Sequence, residues 1–282
     1  MRPSSLAVIG LGAIGGSLAW QSRLAGVRRV IGYSPQPAEG LQALKAAAVT
    51  ELADSPSRAA TGAELVVLAV PPQATLDLLE QIGSTLDPGA LLTDVCSVKA
   101  PIIRQAVQAG LGDRFAGSHP LAGTHESGFG SASPDRLRGC VVYVCESGAP
   151  QGHRAAGMVA GFWEGVLEAS PVLIDSEAHD RQLAWTSHLP QAVAYALAKL
   201  LGDRGLGGVS FGPGARGTLR LAASNPEMWV DILLLNRDAV GMALEETGTS
   251  IAELQRLLAA ADRPALLGYL EAARAFRQGL ER

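Results

Sequence analysis

Val8-Ile9-Gly10-Leu11-Gly12-Ala13-Ile14-Gly15-Gly16 reads as a tight turn between an apolar strand and a helix. Gly10, Gly12 and Gly15 stand in G-x-G-x-x-G spacing. The first glycine permits the turn, the second lets backbone approach a pyrophosphate, and the third lets helix and strand pack closely. A helix beginning at Ala13 and Ile14 offers unpaired N–H groups and partial positive charge to the phosphates. Gly10, Gly12, Ala13, Ile14 and Gly15 are therefore candidate dinucleotide-binding residues.

Working outward, short apolar runs alternate with helical stretches over the first 170 or so residues. Strands are expected at Leu6–Gly10, Arg29–Tyr33, Leu65–Val70, Ala90–Val95, Phe115–Ser118 and Cys140–Cys145, with a last one near Val166–Ala169. Helices are expected up to Ala25, over Ala38–Ala47 and from Lys99 to Ala109. Uninterrupted apolar strands between helices predict a mostly parallel sheet covered on both faces. From about Asp175 the pattern becomes helical only: Ala178–Leu201, Pro226–Glu246, Ser250–Ala260 and Pro264–Gly279. The reading is an α/β dinucleotide-binding domain over residues 1–172 and an all-helical domain over 173–282, apolar enough to pack on a second subunit. Trp229 is assigned to the core.

In a parallel sheet the strands' C-terminal ends share one edge, where ligands bind. That edge gathers the Gly10 turn, Val70-Pro71-Pro72, Asp94-Val95-Cys96-Ser97-Val98-Lys99 and Gly117-Ser118-His119-Pro120. Val70, Pro71 and Ser97 are candidate cofactor contacts, and Ser97 and His119 face the place where a nicotinamide would lie. The second strand commonly ends in an acid that binds the ribose 2′-hydroxyl of NAD. Here Ser34 holds that place, which removes repulsion toward the 2′-phosphate of NADP, yet no arginine follows in Pro35-Gln36-Pro37. NAD and NADP both stay open.

The helical half supplies His179-Asp180 and Ser187-His188-Leu189-Pro190. Nine residues separate the two histidines, two and a half turns, so a straight helix sets them on opposite sides. A bend at Pro190 would be needed to bring them together. Gly212-Pro213-Gly214 allows close backbone approach, and Arg216 and Arg220 are either surface charges or, for Arg220, a fork for a carboxylate. His119, His125 and Glu126, or His179 with Asp180, lack helical ligand spacing, and no metal is expected.

Composition narrows the class. Of 282 residues 48% are hydrophobic and 18% charged, with a net charge of −4, which argues against a nucleic-acid surface. No apolar run reaches the ~18 residues of a membrane span. Cys96, Cys140 and Cys145 suit small core residues better than a disulfide framework or zinc site. The N-terminus enters a strand without a signal peptide, so a cytoplasmic protein is expected.

Together the Gly10–Gly16 turn, Asp94–Lys99, Ser118-His119-Pro120-Leu121-Ala122-Gly123-Thr124, His179-Asp180, Ser187–Pro190 and Asn225-Pro226-Glu227-Met228-Trp229 resemble the prephenate/arogenate dehydrogenase family of tyrosine biosynthesis. The resemblance spans nearly the whole chain. It implies a Rossmann-type domain followed by an all-helical dimerisation domain, a homodimer, and NAD(P)-dependent oxidative decarboxylation of prephenate or arogenate. It implies that His119 accepts the ring hydroxyl's proton and that Ser97 orients hydroxyl and histidine. Arg220 then matches the family's substrate-carboxylate arginine and His188 its second-domain histidine, with Thr124 and His125 beside the substrate. An imidazole's ordinary pKa near 6.5 suits a base at neutrality.

The chain departs from the pattern at His125, where some relatives carry an acid, and at Gly217, which removes a partner for Arg220. With Arg282 as the last residue, the regulatory ACT domain of some relatives is not expected. Two other readings stand beside this one. A β-hydroxyacid or pyrroline-carboxylate reductase kind of dehydrogenase would place an asparagine four residues after a catalytic lysine, but Lys199 is followed by Asp203 and Lys99 by Ile103. A non-catalytic NAD(P)-binding regulator would need the glycine turn without His119, Ser97 or Arg220.

Overall fold

The computed structural model describes residues 1–123 and 127–280. Eight strands form one sheet: β1 (Ser5–Ile9), β2 (Arg29–Tyr33), β3 (Glu51–Leu52), β4 (Leu65–Leu68), β5 (Leu91–Asp94), β6 (Phe115–Pro120), β7 (Val141–Glu146) and β8 (Ser170–Leu173). Their spatial order is β3-β2-β1-β4-β5-β6-β7-β8. The first six run parallel, as expected of apolar strands separated by helices. Those helices are α1 (Ala13–Leu24), α2 (Pro37–Lys45), α3 (Pro56–Ala60), α4 (Pro72–Gly83) and α5 (Ala100–Gln108), with α6 (Gly152–Gly165) between β7 and β8. Alternate strand residues feed two cores. Leu6, Val8, Leu65 and Val67 pack with Phe162 and Trp163 on one face, and Ala7, Ile9, Val66 and Leu68 pack with Leu79 and Ile102 on the other.

Three details differ from the sequence reading. The strand pair β6–β7 is antiparallel, because no crossover helix lies between them among the described residues and only a 3-10 turn, Phe129–Ser131, intervenes. The last strand is Ser170–Leu173 rather than Val166–Ala169. Val166 and Leu167 are buried just past α6, and Glu168 adopts a φ of 52° that turns the chain before β8. The two-residue β3 carries no apolar run and was not expected.

Beyond the sheet come α7 (Ser176–Leu183), a π-helical turn over Ala184–His188, α8 (Leu189–Asp203), α9 (Pro213–Leu219) and α10 (Pro226–Leu235). The long helix expected over Ala178–Leu201 is thus interrupted. Leu189 N–H bonds to the Ala184 carbonyl, an i to i+5 closure, just before Pro190. Proline has no N–H for the ordinary i−4 bond, and a wider turn absorbs that loss. Met1–Asn236 form one compact unit. Arg237–Arg282 form another, in which α11 (Arg237–Ala259) and α12 (Arg263–Gly279) pair. Within it the Asp262 side chain caps α12 by accepting from Ala265 N–H at 3.0 Å, and the Ser250 and Tyr269 hydroxyls meet at 2.6 Å.

Candidate active site

The glycine turn lies at the C-terminal edge of β1, tied to β2 by Gly10 N–H donating to the Tyr33 carbonyl at 2.8 Å. Gly10 has a φ of +100°, and a Cβ there would stand 2.2 Å from the Ala69 carbonyl oxygen. A Cβ on Gly15 would stand 1.9 Å from the Gly10 oxygen, so helix and turn meet only without side chains. Gly12 faces open space, with nothing within 4 Å. A backbone cradle closed behind and open in front fits a pyrophosphate at the start of α1. Val70 stands beside it, its Cγ1 2.9 Å from where a Gly10 Cβ would be, and Pro71 leads into α4. Ser34, just past β2, donates its hydroxyl to Glu39 at 2.8 Å.

His119, half-buried on β6, lies opposite Tyr143 of β7. Its Nδ1 meets His179 Nε2 at 2.9 Å, and His179 Nδ1 meets Asp180 Oδ1 at 2.7 Å. The carboxylate can only accept, so His179 carries its proton on Nδ1 and presents a lone pair at Nε2. His119 then donates from Nδ1, leaving its own Nε2 as the acceptor. Asp180 is fixed in turn: Oδ1 accepts from Lys99 N–H and Oδ2 from Ala100 N–H, both at 2.8 Å, so this carboxylate caps the first turn of α5. Tyr143 packs edge-on against His179, and its hydroxyl accepts from Gln182 at 2.6 Å.

Burial pushes the His119 pKa well below its ordinary value, helped by the neighbouring His179, Lys99 and His188. Burial also lowers that of His179, although the bond to Asp180 opposes the shift. Both rings are therefore neutral near pH 7. The expected orienting bond from Ser97 to His119 is not formed among the described residues; His179 holds that ring. His188, fully buried, is pushed down to about 4 by burial, with the Asp180 charge opposing. Asn236 donates to its Nδ1 at 3.0 Å and to the Asp180 carbonyl at 2.8 Å. That leaves Nε2–H of His188 without a partner of ordinary geometry, although the Ser97 backbone favours the ring's charged form. The π-helical turn is what lets His179 and His188 approach the same imidazole.

The floor beneath is a buried polar lattice. Lys99 Nζ pairs with Asp94 Oδ2 and donates to the Ser118 carbonyl at 2.7 Å, both side chains wholly buried. Asp94 also accepts from Cys96 N–H at 2.9 Å and Ser118 N–H at 3.3 Å. Trp163 Nε1–H donates to the Ser118 hydroxyl at 2.9 Å, which also bonds Thr93 at 2.8 Å. The Ser97 loop and the His119 strand are thereby locked to one another. Residue patterns alone did not single out His179, Asp180, Lys99, Asp94, Asn236 or Glu39 as site members, because their roles are pairings across distant segments. The adjacency His179-Asp180 was the one local signal.

Arg220 begins a 3-10 turn, Arg220–Ala223, anchored to α8 by Gln191 donating to the Leu221 carbonyl at 2.6 Å. Its guanidinium is exposed and lines an open groove of about 460 Å³ with Val209, Ser210, Phe211, Arg216 and Leu219. Trp229 is partly buried and packs edge-on against His188, with Nε1–H unpartnered. Lys199 pairs with Asp203 at 2.6 Å on an exposed face, as a surface ion pair. Thr124, His125 and Glu126 lie outside the described residues. Among the described residues no three His, Cys, Asp or Glu side chains are grouped for a metal, and no helix is long and apolar enough to cross a membrane.

This arrangement has counterparts. Residues 18–170 match the family described as prephenate dehydrogenase, nucleotide-binding domain, and residues 175–272 match prephenate dehydrogenase, dimerization domain. The prephenate dehydrogenase of Bacillus subtilis is 31% identical, over 98% of this chain and 76% of that one. The crystal structure of prephenate dehydrogenase from Aquifex aeolicus with hydroxyphenyl propionate and NAD+ superposes with a TM-score of 0.89 at 27% identity, covering 98% of each chain. Synechocystis arogenate dehydrogenase gives 0.79 at 28% identity, covering 98% of this chain and 99% of its own. A glycine cradle, a neutral histidine at the same sheet edge and a helical half that matches the dimerization domain thus occur together across the chain, which belongs to the prephenate dehydrogenase family.

Proposed function

We propose that the chain converts prephenate to 4-hydroxyphenylpyruvate, or arogenate to tyrosine, with NAD or NADP as the oxidant. The observation that carries this reading is the chain of bonds from Asp180 through His179 to His119 at the edge that holds the glycine cradle. A bound nicotinamide would supply the acceptor for hydride from the hydroxyl-bearing ring carbon, with carbon dioxide leaving the opposite carbon as the ring becomes aromatic. His119 takes the hydroxyl proton at Nε2, since its Nδ1–H is committed to His179. The proton arrives on a ring whose Nδ1–H stays bonded to His179, with the Asp180 carboxylate behind it, so His119 keeps its orientation in both protonation states.

Other roles follow from position. Ser97 donates to or accepts from the substrate hydroxyl and borders the nicotinamide. His188, with Asn236 on Nδ1 and the Ser97 backbone acting on its ring, turns its Nε2–H toward a substrate oxygen. Arg220 forks onto a carboxylate, and Thr124 and His125 read the substrate's side chain. Residues 1–172 hold the dinucleotide and 173–282 complete the substrate site and dimerise in a cytoplasmic homodimer. Exposed Met242, Leu244, Ile251, Leu258, Leu267 and Phe276 on α11 and α12 support that assembly.

Purified protein is expected to generate the reduced-nicotinamide absorbance with at least one pairing of prephenate or L-arogenate and NAD+ or NADP+. Four silent pairings would refute the reading. His119→Asn is expected to lower kcat about 10²–10⁴-fold while still binding cofactor.

A further inference from the structure

The acid that commonly closes β2 is missing from its usual place, but a carboxylate is there nonetheless. Ser34 occupies the position, and its hydroxyl donates to Glu39 Oε2 at 2.8 Å. Gln36 N–H, at 3.2 Å, supplies the hydrogen bond that Ser34 Oγ accepts and so fixes the serine's orientation. Glu39 stands in the first turn of α2, where the helix N-terminus favours negative charge. Among the described residues no lysine or arginine forms an ion pair with it. The turn before Phe129 passes close to its other oxygen, Oε1 lying 3.3 Å from where a Cβ on Gly128 would be. The end of β2 is bonded directly to Gly10, so this charge sits beside the cradle and not on a remote face.

We infer that Glu39, delivered by the first turn of α2 onto Ser34, makes this chain select NAD over NADP. The two cofactors differ only at the ribose 2′ position next to the adenine. A hydroxyl there can donate to the carboxylate or to Ser34, whereas a phosphate brings about two negative charges against a carboxylate that no lysine or arginine neutralises in an ion pair among the described residues. The serine therefore carries no preference of its own; it holds the glutamate in the place of the acid.

The inference rests on the dinucleotide reading of the glycine turn, and the two can fail separately. Calorimetric titration of the full chain with NAD+ and with NADP+ is expected to show NAD+ binding at least about tenfold tighter, as like-charge juxtaposition costs several kcal/mol. Glu39→Gln is expected to cut that ratio about tenfold, mostly by tightening NADP+, and Glu39→Arg to invert it. Equal binding by the wild type, or an unchanged ratio in a Glu39→Gln variant that melts normally, would overturn the selectivity and leave the cradle standing. Failure of both dinucleotides to bind would overturn cradle and selectivity together.

Discussion

An imidazole in water divides its time between two tautomers and titrates near 6.5. Neither freedom survives at His119. The Asp180 carboxylate fixes the tautomer of His179, which fixes that of His119, so the remaining lone pair is always on Nε2. Burial keeps the ring neutral and ready to accept a proton. Replacing His179 by Asn should release this constraint without touching the cradle. The expected result is a fall in kcat of about 10–100-fold, the range for a partner that orients a functional group. The acid limb of the kcat profile should also move to higher pH, because a neighbour that lowers the His119 pKa is gone. A fall in kcat with an unmoved acid limb would reduce His179 to a packing role. His119 itself was legible in the sequence because it stands near the C-terminal end of a strand at the binding edge. The identity of its partner was not, since the two rings lie sixty positions apart.

At the scale of elements, two devices place these residues. One is the π-helical turn: a regular helix separates His179 and His188 by half a turn, and the wider turn before Pro190 reduces that separation. The proline gave warning of a bend, but whether a proline kinks, ends or widens a helix depends on tertiary support that periodicity does not report. The other is the buried Lys99–Asp94 pair, which ties the loop after β5 to β6. Lys99→Met is expected to destabilise the chain by about 3–5 kcal/mol, because the Asp94 charge stays buried without its cation. Urea denaturation at fixed protein concentration measures this. A loss below about 1 kcal/mol would mean that the backbone donors of Cys96 and Ser118 suffice for that carboxylate.

For the molecule as a whole, the alternation of apolar strands and helices made the parallel portion of the sheet readable, since each strand had to be covered on both faces. The reversal at β7 escaped because the pattern records that a strand exists and not the length and kind of connection before it. Stability carries the imprint of the buried histidines. His188 has a folded pKa of about 4 against 6.5 unfolded, so the unfolded chain gains protons first as pH falls. Its contribution is intact above pH 6.5 and is lost progressively toward pH 4, to a total of about 3 kcal/mol. His119 and His179 act in the same direction. Denaturation midpoints measured from pH 7.5 down to 4 should fall more steeply in the wild type than in His188→Gln; parallel curves would contradict the assignment.

The carboxylate of Asp180 performs two duties with one pair of oxygens, stapling α7 to the first turn of α5 and tuning the histidine beside it. A nascent chain whose α7 had not yet docked would still own its phosphate cradle, but its imidazole at 119 would be untutored, free to spin between tautomers and to pick up protons from solvent. On the proposed role of His119, competence for chemistry thus waits on the docking of α7 against α5.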